Sequence, residues 1–115
     1  MKTEHVSLLG HAQGAAKIHV HLSRLDAEIG GQGYQHSHQA EEAIYLLEGE
    51  AEYAVGGRVR RLGPGELIFF PPGEPHGALR FLRSPIKYLV IRNVEPGEEE
   101  RCCCGQDLPP RTTGG

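Results

Sequence analysis

The stretch Gly30-Gly31-Gln32-Gly33-Tyr34-Gln35-His36-Ser37-His38-Gln39-Ala40-Glu41-Glu42-Ala43-Ile44-Tyr45-Leu46-Leu47-Glu48-Gly49 decides how this chain reads. Residues two apart on a β-strand point to the same face, so an extended segment through Tyr34 to His38 presents His36 and His38 side by side across Ser37. Glu42 keeps that parity in a regular strand, whereas a bulge would hand its place to Glu41. A second stretch, from Gly65 through Pro71 and Gly73 to His76, brings a further imidazole from a later strand. Three imidazoles and one carboxylate suit one divalent transition metal ion, and Mn, Fe, Ni, Zn and Cu all accept such donors. Four protein ligands leave room for substrate, which separates a reactive site from a closed structural one.

Working outward, residues 17–25 alternate, with Ile18, Val20 and Leu22 on one side and His19, His21 and Ser23 on the other, the period of a half-buried strand. His19 and His21 repeat the His-x-His spacing without the later Glu, Gly and His, so they read as a solvent-facing pair. Residues 43–47 form an apolar run, and Glu48-Gly49 marks a strand end or a bulge. Gly56-Gly57 suits a two-residue hairpin turn, which sets Glu52 opposite Arg61 and Ala54 opposite Val59. Residues 67–70, 77–82 and 86–94 complete about eight short strands, the last two parted by Arg83-Ser84-Pro85. That pattern predicts an all-β fold, a jelly-roll barrel in a single domain.

The 115 residues include 16 Gly and 8 Pro, which favours many turns between short strands. A formal net charge of -3 lacks the excess of Lys and Arg that a nucleic-acid partner needs. No apolar run reaches the length of a membrane-spanning helix, and the first residues are not followed by the apolar core of a secretion signal, so the expected location is cytoplasmic. Cys102, Cys103 and Cys104 are adjacent and cannot staple distant parts of a fold, which agrees with a reducing compartment. The predicted organisation is an N-terminal arm over residues 1–16, a barrel over residues 17–95 and a flexible C-terminal tail over residues 96–115.

The two stretches together resemble the paired motifs of the cupin superfamily. Gly30-x5-His36-x-His38-x3-Glu42-x6-Gly49 is similar to the first motif and Gly65-x5-Pro71-x-Gly73-x2-His76 to the second. The resemblance implies a small β-barrel with a metal at one mouth, held by His36, His38, Glu42 and His76. It also implies a homodimer, with the N-terminal arm and the strand at residues 17–25 contributing. The second motif often carries Asn four residues after its His, where this chain has Arg80. By strand parity Arg80 either enters the cavity to hold an anionic group or faces solvent. Tyr34 shares the parity of His36 and is a second candidate for contact with the small-molecule ligand. Two functional classes follow: an enzyme in which a small oxygen-rich, anionic molecule chelates the metal for an isomerase, dioxygenase, decarboxylase or lyase reaction, or a metal-dependent binding and sensing module without turnover.

Overall fold

Burial alternates along residues 18–26, 42–46 and 67–70, and it fixes which side chains meet inside. The computed structural model describes residues 2–31, 35–36 and 41–94. Among the described residues seven strands follow in order: β1 (Lys2–Leu9), β2 (Ile18–Asp26), β3 (Gln35–His36), β4 (Glu42–Val55), β5 (Arg58–Leu62), β6 (Leu67–Phe70) and β7 (His76–Asn93). One 3-10 turn, His11–Gln13, lies between β1 and β2. All pairings are antiparallel, in the order β1-β2-β7-β4-β5, with β3 added on β7 and β6 on β4.

β4 and β7 pair along their whole lengths, from Glu42 opposite Arg92 to Val55 opposite His76. A straight strand of that length spans about 45 Å. Yet Glu42 Oε2 lies 3.5 Å from His76 Nε2, although the two residues stand at opposite ends of the ladder. The ladder must therefore fold over on itself, and that fold makes the jelly roll. Its first half carries β6 on one side and β2 and β1 on the other; its second half carries β5 and β3.

The bend falls where the register shifts around Leu46, Glu48 and Glu50. Gly49 sits there at φ 91°, and a Cβ on it would strike the Pro85 carbonyl oxygen and approach the Arg83 carbonyl oxygen to 2.9 Å. Only glycine accepts both the positive φ and the backbone contact. Glu48-Gly49 is thus a bulge within one strand. The same bend runs through Arg83-Ser84-Pro85, where β7 continues unbroken and the Ser84–Pro85 peptide is cis. The Gly56-Gly57 hairpin has the expected register, Glu52 opposite Arg61 and Ala54 opposite Val59. Inside the roll, Leu46, Leu62, Ile68, Phe70, Phe81 and Ile86 form the centre of the core.

Two expectations need correction. Residues 2–9 are not an arm beside the barrel but an edge strand, paired with β2 from Lys2–Asp26 to Leu9–Val20. In addition, His19 and His21 do not face solvent. They are 0% and 1% exposed, with Ser23 and Leu25 buried on the same side, while Ile18 is 56% exposed. The strand is turned opposite to its hydropathy because its outer neighbours are apolar too. Val6, Leu22, Leu89, Tyr45 and Leu67 form one continuous outer row across five strands. Leu9, Val20, Ile91, Ala43 and Phe69 form the next, and a charged row of Glu4, Arg24, Lys87 and Glu48 flanks them.

Among the described residues no helix is long and apolar enough to cross a membrane. The tail over residues 96–115, with its three cysteines, lies outside the described residues. The bend at Gly49 generates a test. Gly49→Ala should destabilise the fold by more than about 2 kcal/mol in urea unfolding, because strain at a positive φ and a backbone clash add. A loss below about 0.5 kcal/mol, the range of an ordinary surface change, would show that the bend does not depend on that glycine.

Candidate metal centre

Glu42 opens β4 and His76 opens β7, and both point into the folded ladder at 3% and 1% exposure. Glu41, the alternative at the bulge, is exposed. The His76 ring is held from two sides. Its Nδ1 donates to the Glu74 carbonyl oxygen at 2.9 Å, since a carbonyl can only accept. Its face stacks on Phe70, with ring centroids 4.2 Å apart and planes 8° from parallel. With the proton on Nδ1, a neutral His76 turns its Nε2 lone pair toward the Glu42 carboxylate.

Two electron-rich groups facing each other in a buried site need a proton or a cation between them. Burial works against a charged His76, but the bond to Glu42, the Glu74 carbonyl and the Glu42 charge outweigh it and raise the pKa above the ordinary histidine value. A divalent cation satisfies the same pair in place of the proton, and a backbone carbonyl on the distal ring nitrogen is the usual support of a metal-binding imidazole. The donor chemistry therefore fits a transition metal.

The backbone pairing sets His36 directly opposite His76, with Gln35 opposite Gly77. The side chain of His36, and all of Tyr34 and His38, lie outside the described residues. Among the described residues alone, no group of three or more His, Cys, Asp or Glu gathers around one point.

Arg80 does not enter the cavity. The register passes from Tyr53 opposite Ala78 to Glu52 opposite Arg80, so Leu79 is an extra residue that reverses the parity counted from His76. Arg80 accordingly lies on the outer face, 57% exposed, with Nη2 2.5 Å from Glu52 Oε1.

Other inward residues escaped the sequence reading. Tyr53, 4% exposed, packs near Phe70 with ring centroids 6.2 Å apart. Burial first, and then the Glu42 charge, push its phenol pKa upward, so it keeps its proton. On β2, the rings of His19 and His21 lie 5.3 Å apart, and His5 meets His21 edge-on at 5.8 Å. His5 Nδ1 and Ser23 Oγ are hydrogen-bonded at 2.6 Å. Burial, followed by the charges of His19 and His5, lowers the His21 pKa to about 3. The one signal for this inward cluster was the run of apolar residues opposite it, which would mark an outer face only if that face were itself covered.

Comparison with known proteins agrees with the fold. The family model described as Cupin domain matches residues 24–92. The chain is 47% identical over 57 residues to dimethylsulfoniopropionate lyase DddQ of Ruegeria pomeroyi; the match covers 49% of this chain and 28% of that protein. The chain thus spans little more than a quarter of that relative. Among solved structures it is similar to the polyketide cyclase RemF from Streptomyces resistomycificus, with TM-score 0.67, 32% identity, and coverage of 84% of this chain and 68% of that one. It is also similar to TT1209 from Thermus thermophilus, with TM-score 0.66, 28% identity, and coverage of 83% and 86%.

The depressed His21 pKa carries a pH dependence with a definite sign. Below 6.5 the unfolded chain takes up a proton on His21 that the native chain refuses until about pH 3. The stabilising contribution is full above pH 6.5 and is lost as pH falls toward 3. Unfolding midpoints from pH 7.5 down to 4.5 should therefore fall less steeply for His21→Gln than for the wild type. Parallel curves would show that His21 is not the neutral buried group described.

Proposed function

The chain belongs to the cupin domain family, and on that premise we propose that it is a metal-dependent enzyme. In this reading one divalent transition metal ion is held by His36, His38, Glu42 and His76. The substrate is a small oxygen-rich molecule that reaches the metal's remaining positions. The observation that carries the proposal is the pair Glu42–His76, buried and facing at 3.5 Å, with His36 opposite His76 in register.

A bound metal would supply Lewis acidity toward a substrate oxygen. The protein's own residues do the rest. Phe70 and the Glu74 carbonyl fix the plane and tautomer of His76. Tyr53 offers a phenol that stays protonated beside the Glu42 charge and can donate a hydrogen bond into the cavity. The similarity to a protein named a lyase and to one named a cyclase supports turnover over simple binding, and it favours a lyase-type reaction on a small acid.

The test combines metal analysis with a substrate panel. Wild-type protein purified without chelators should carry about one equivalent of metal by elemental analysis. Glu42→Gln and His76→Ala should each lower that content at least tenfold while the chain stays folded. A panel of small acids, dimethylsulfoniopropionate among them, should reveal turnover that disappears in both variants. Full metal retention in both would overturn the site, and binding without turnover across the panel would favour a sensing module.

We also propose a homodimer, for which the two apolar outer rows are the support. Leu67 and Phe69 alone are 46% and 49% exposed on that face. A contiguous apolar surface of this kind marks an association site, and a second copy presents the same flanking charges in matched positions. Light scattering at micromolar concentration should give twice the 12.6 kDa chain mass, and Leu22→Glu should return it to one. A wild-type monomer at that concentration would refute the dimer.

A further inference from the structure

β2 and β7 carry inward polar groups that the proposed metal set does not use. Register places His19 opposite Arg92, and Arg92 opposite Glu42, so imidazole, guanidinium and carboxylate stand in one row across three strands. The parity of Arg92 is that of the interior: on β7, Ile86, Val90 and Val94 are buried, and its cross-strand neighbours His19 and Glu42 are 0% and 3% exposed. Two residues along β2 and on the same face, His21 is 1% exposed, and its Nδ1 has no hydrogen-bond partner among the described residues. The charges of both Glu42 and Arg92 act on His21, which puts the four side chains in one neighbourhood. A buried ring nitrogen left without a partner is unfavourable, and such groups mark places where a ligand completes the hydrogen bonding.

Charge balance states what that ligand is. With neutral imidazoles, Arg92 and Glu42 cancel. A divalent cation taken up by Glu42 leaves the enclosed site with a net positive charge, which an anion neutralises. A guanidinium presents forked donors that match the two oxygens of a carboxylate, and a neutral imidazole adds one N–H donor.

We infer that Arg92, with His19 and His21, forms an anion subsite beside Glu42 and His76 that takes the carboxylate of a small organic acid. This rests on the metal-site reading above for the identity of the neighbouring centre. It assigns to Arg92 the role that strand parity had offered to Arg80. The substrate is then bipolar in its demands: one end reaches the metal, and the carboxylate lies against β2 and β7.

The test is calorimetric titration of the full chain with propionate and with propionamide, its neutral isostere, and metal content is read on the same samples. Wild type should prefer propionate by about tenfold or more, as expected of a charge-assisted bond. Arg92→Met should bring the two ligands within about twofold while metal content is unchanged, and Arg80→Met should keep the wild-type preference. Arg92→Gln scores the same comparison where Arg92→Met does not fold. Wild type without preference, or a preference that survives loss of the Arg92 charge, overturns the subsite. Absence of metal from the wild type overturns the metal reading separately, since the propionate comparison can still be scored on that protein.

Discussion

The contact between Glu42 and His76 is the constraint on which the rest of the architecture depends. These residues sit at opposite ends of one antiparallel ladder, and they can meet at 3.5 Å only if that ladder doubles over. The doubling requires a sharp bend halfway along β4 and β7, supplied by the shifted register around Gly49. It also explains why both strands are so long, 14 and 18 residues, where strands in globular proteins usually run to about 5 or 6. Each long strand serves both layers. The apolar centre from Leu46 to Ile86 fills the space between the layers, and buried polar groups collect where the two ends of the ladder meet.

That region is unusually polar for an interior. His19, His21, Ser23, Glu42 and His76 are all buried, and burying such groups is unfavourable unless each gains hydrogen bonds, charge partners or a ligand. Some compensation is visible in the His5–Ser23 bond and in the Glu74 carbonyl that holds His76. In the proposed reading, a metal and an anionic substrate would add to that compensation. The outer face shows the converse strain, with apolar rows where a monomer would normally present polar side chains. Both departures concern β2, whose two faces are exchanged relative to its hydropathy, and both are removed if the interior binds ligand and the exterior binds a second copy.

Much of this was legible in the sequence. The positive φ demanded by Gly56-Gly57 set the hairpin register, and the spacing from His36 to Glu42 and from Gly65 to His76 marked the two walls that converge. Strand parity favoured Glu42 over Glu41 but left a bulge open, and the structure buries Glu42 and exposes Glu41. Parity failed where an extra residue intervened: Leu79 reverses Arg80, and nothing local in Gly77-Ala78-Leu79-Arg80 announces a bulge. Hydropathy failed on β2, because the rule that apolar residues face inward assumes that the outside is water. Lys2–Leu9 was passed over because its alternation of Thr3, His5 and Ser7 with Glu4, Val6 and Leu8 is too polar to register as a strand without its partner.

The central claim is that Glu42 and His76 face one another across a metal. An anomalous difference map from crystals of protein purified without chelators, recorded at the absorption edge of the metal found by elemental analysis, tests it most directly. The account predicts a single peak in the barrel mouth, about 2.0–2.2 Å from a Glu42 carboxylate oxygen and from His76 Nε2. A map without a peak there, with Glu42 and His76 closed into a direct hydrogen bond, would contradict it.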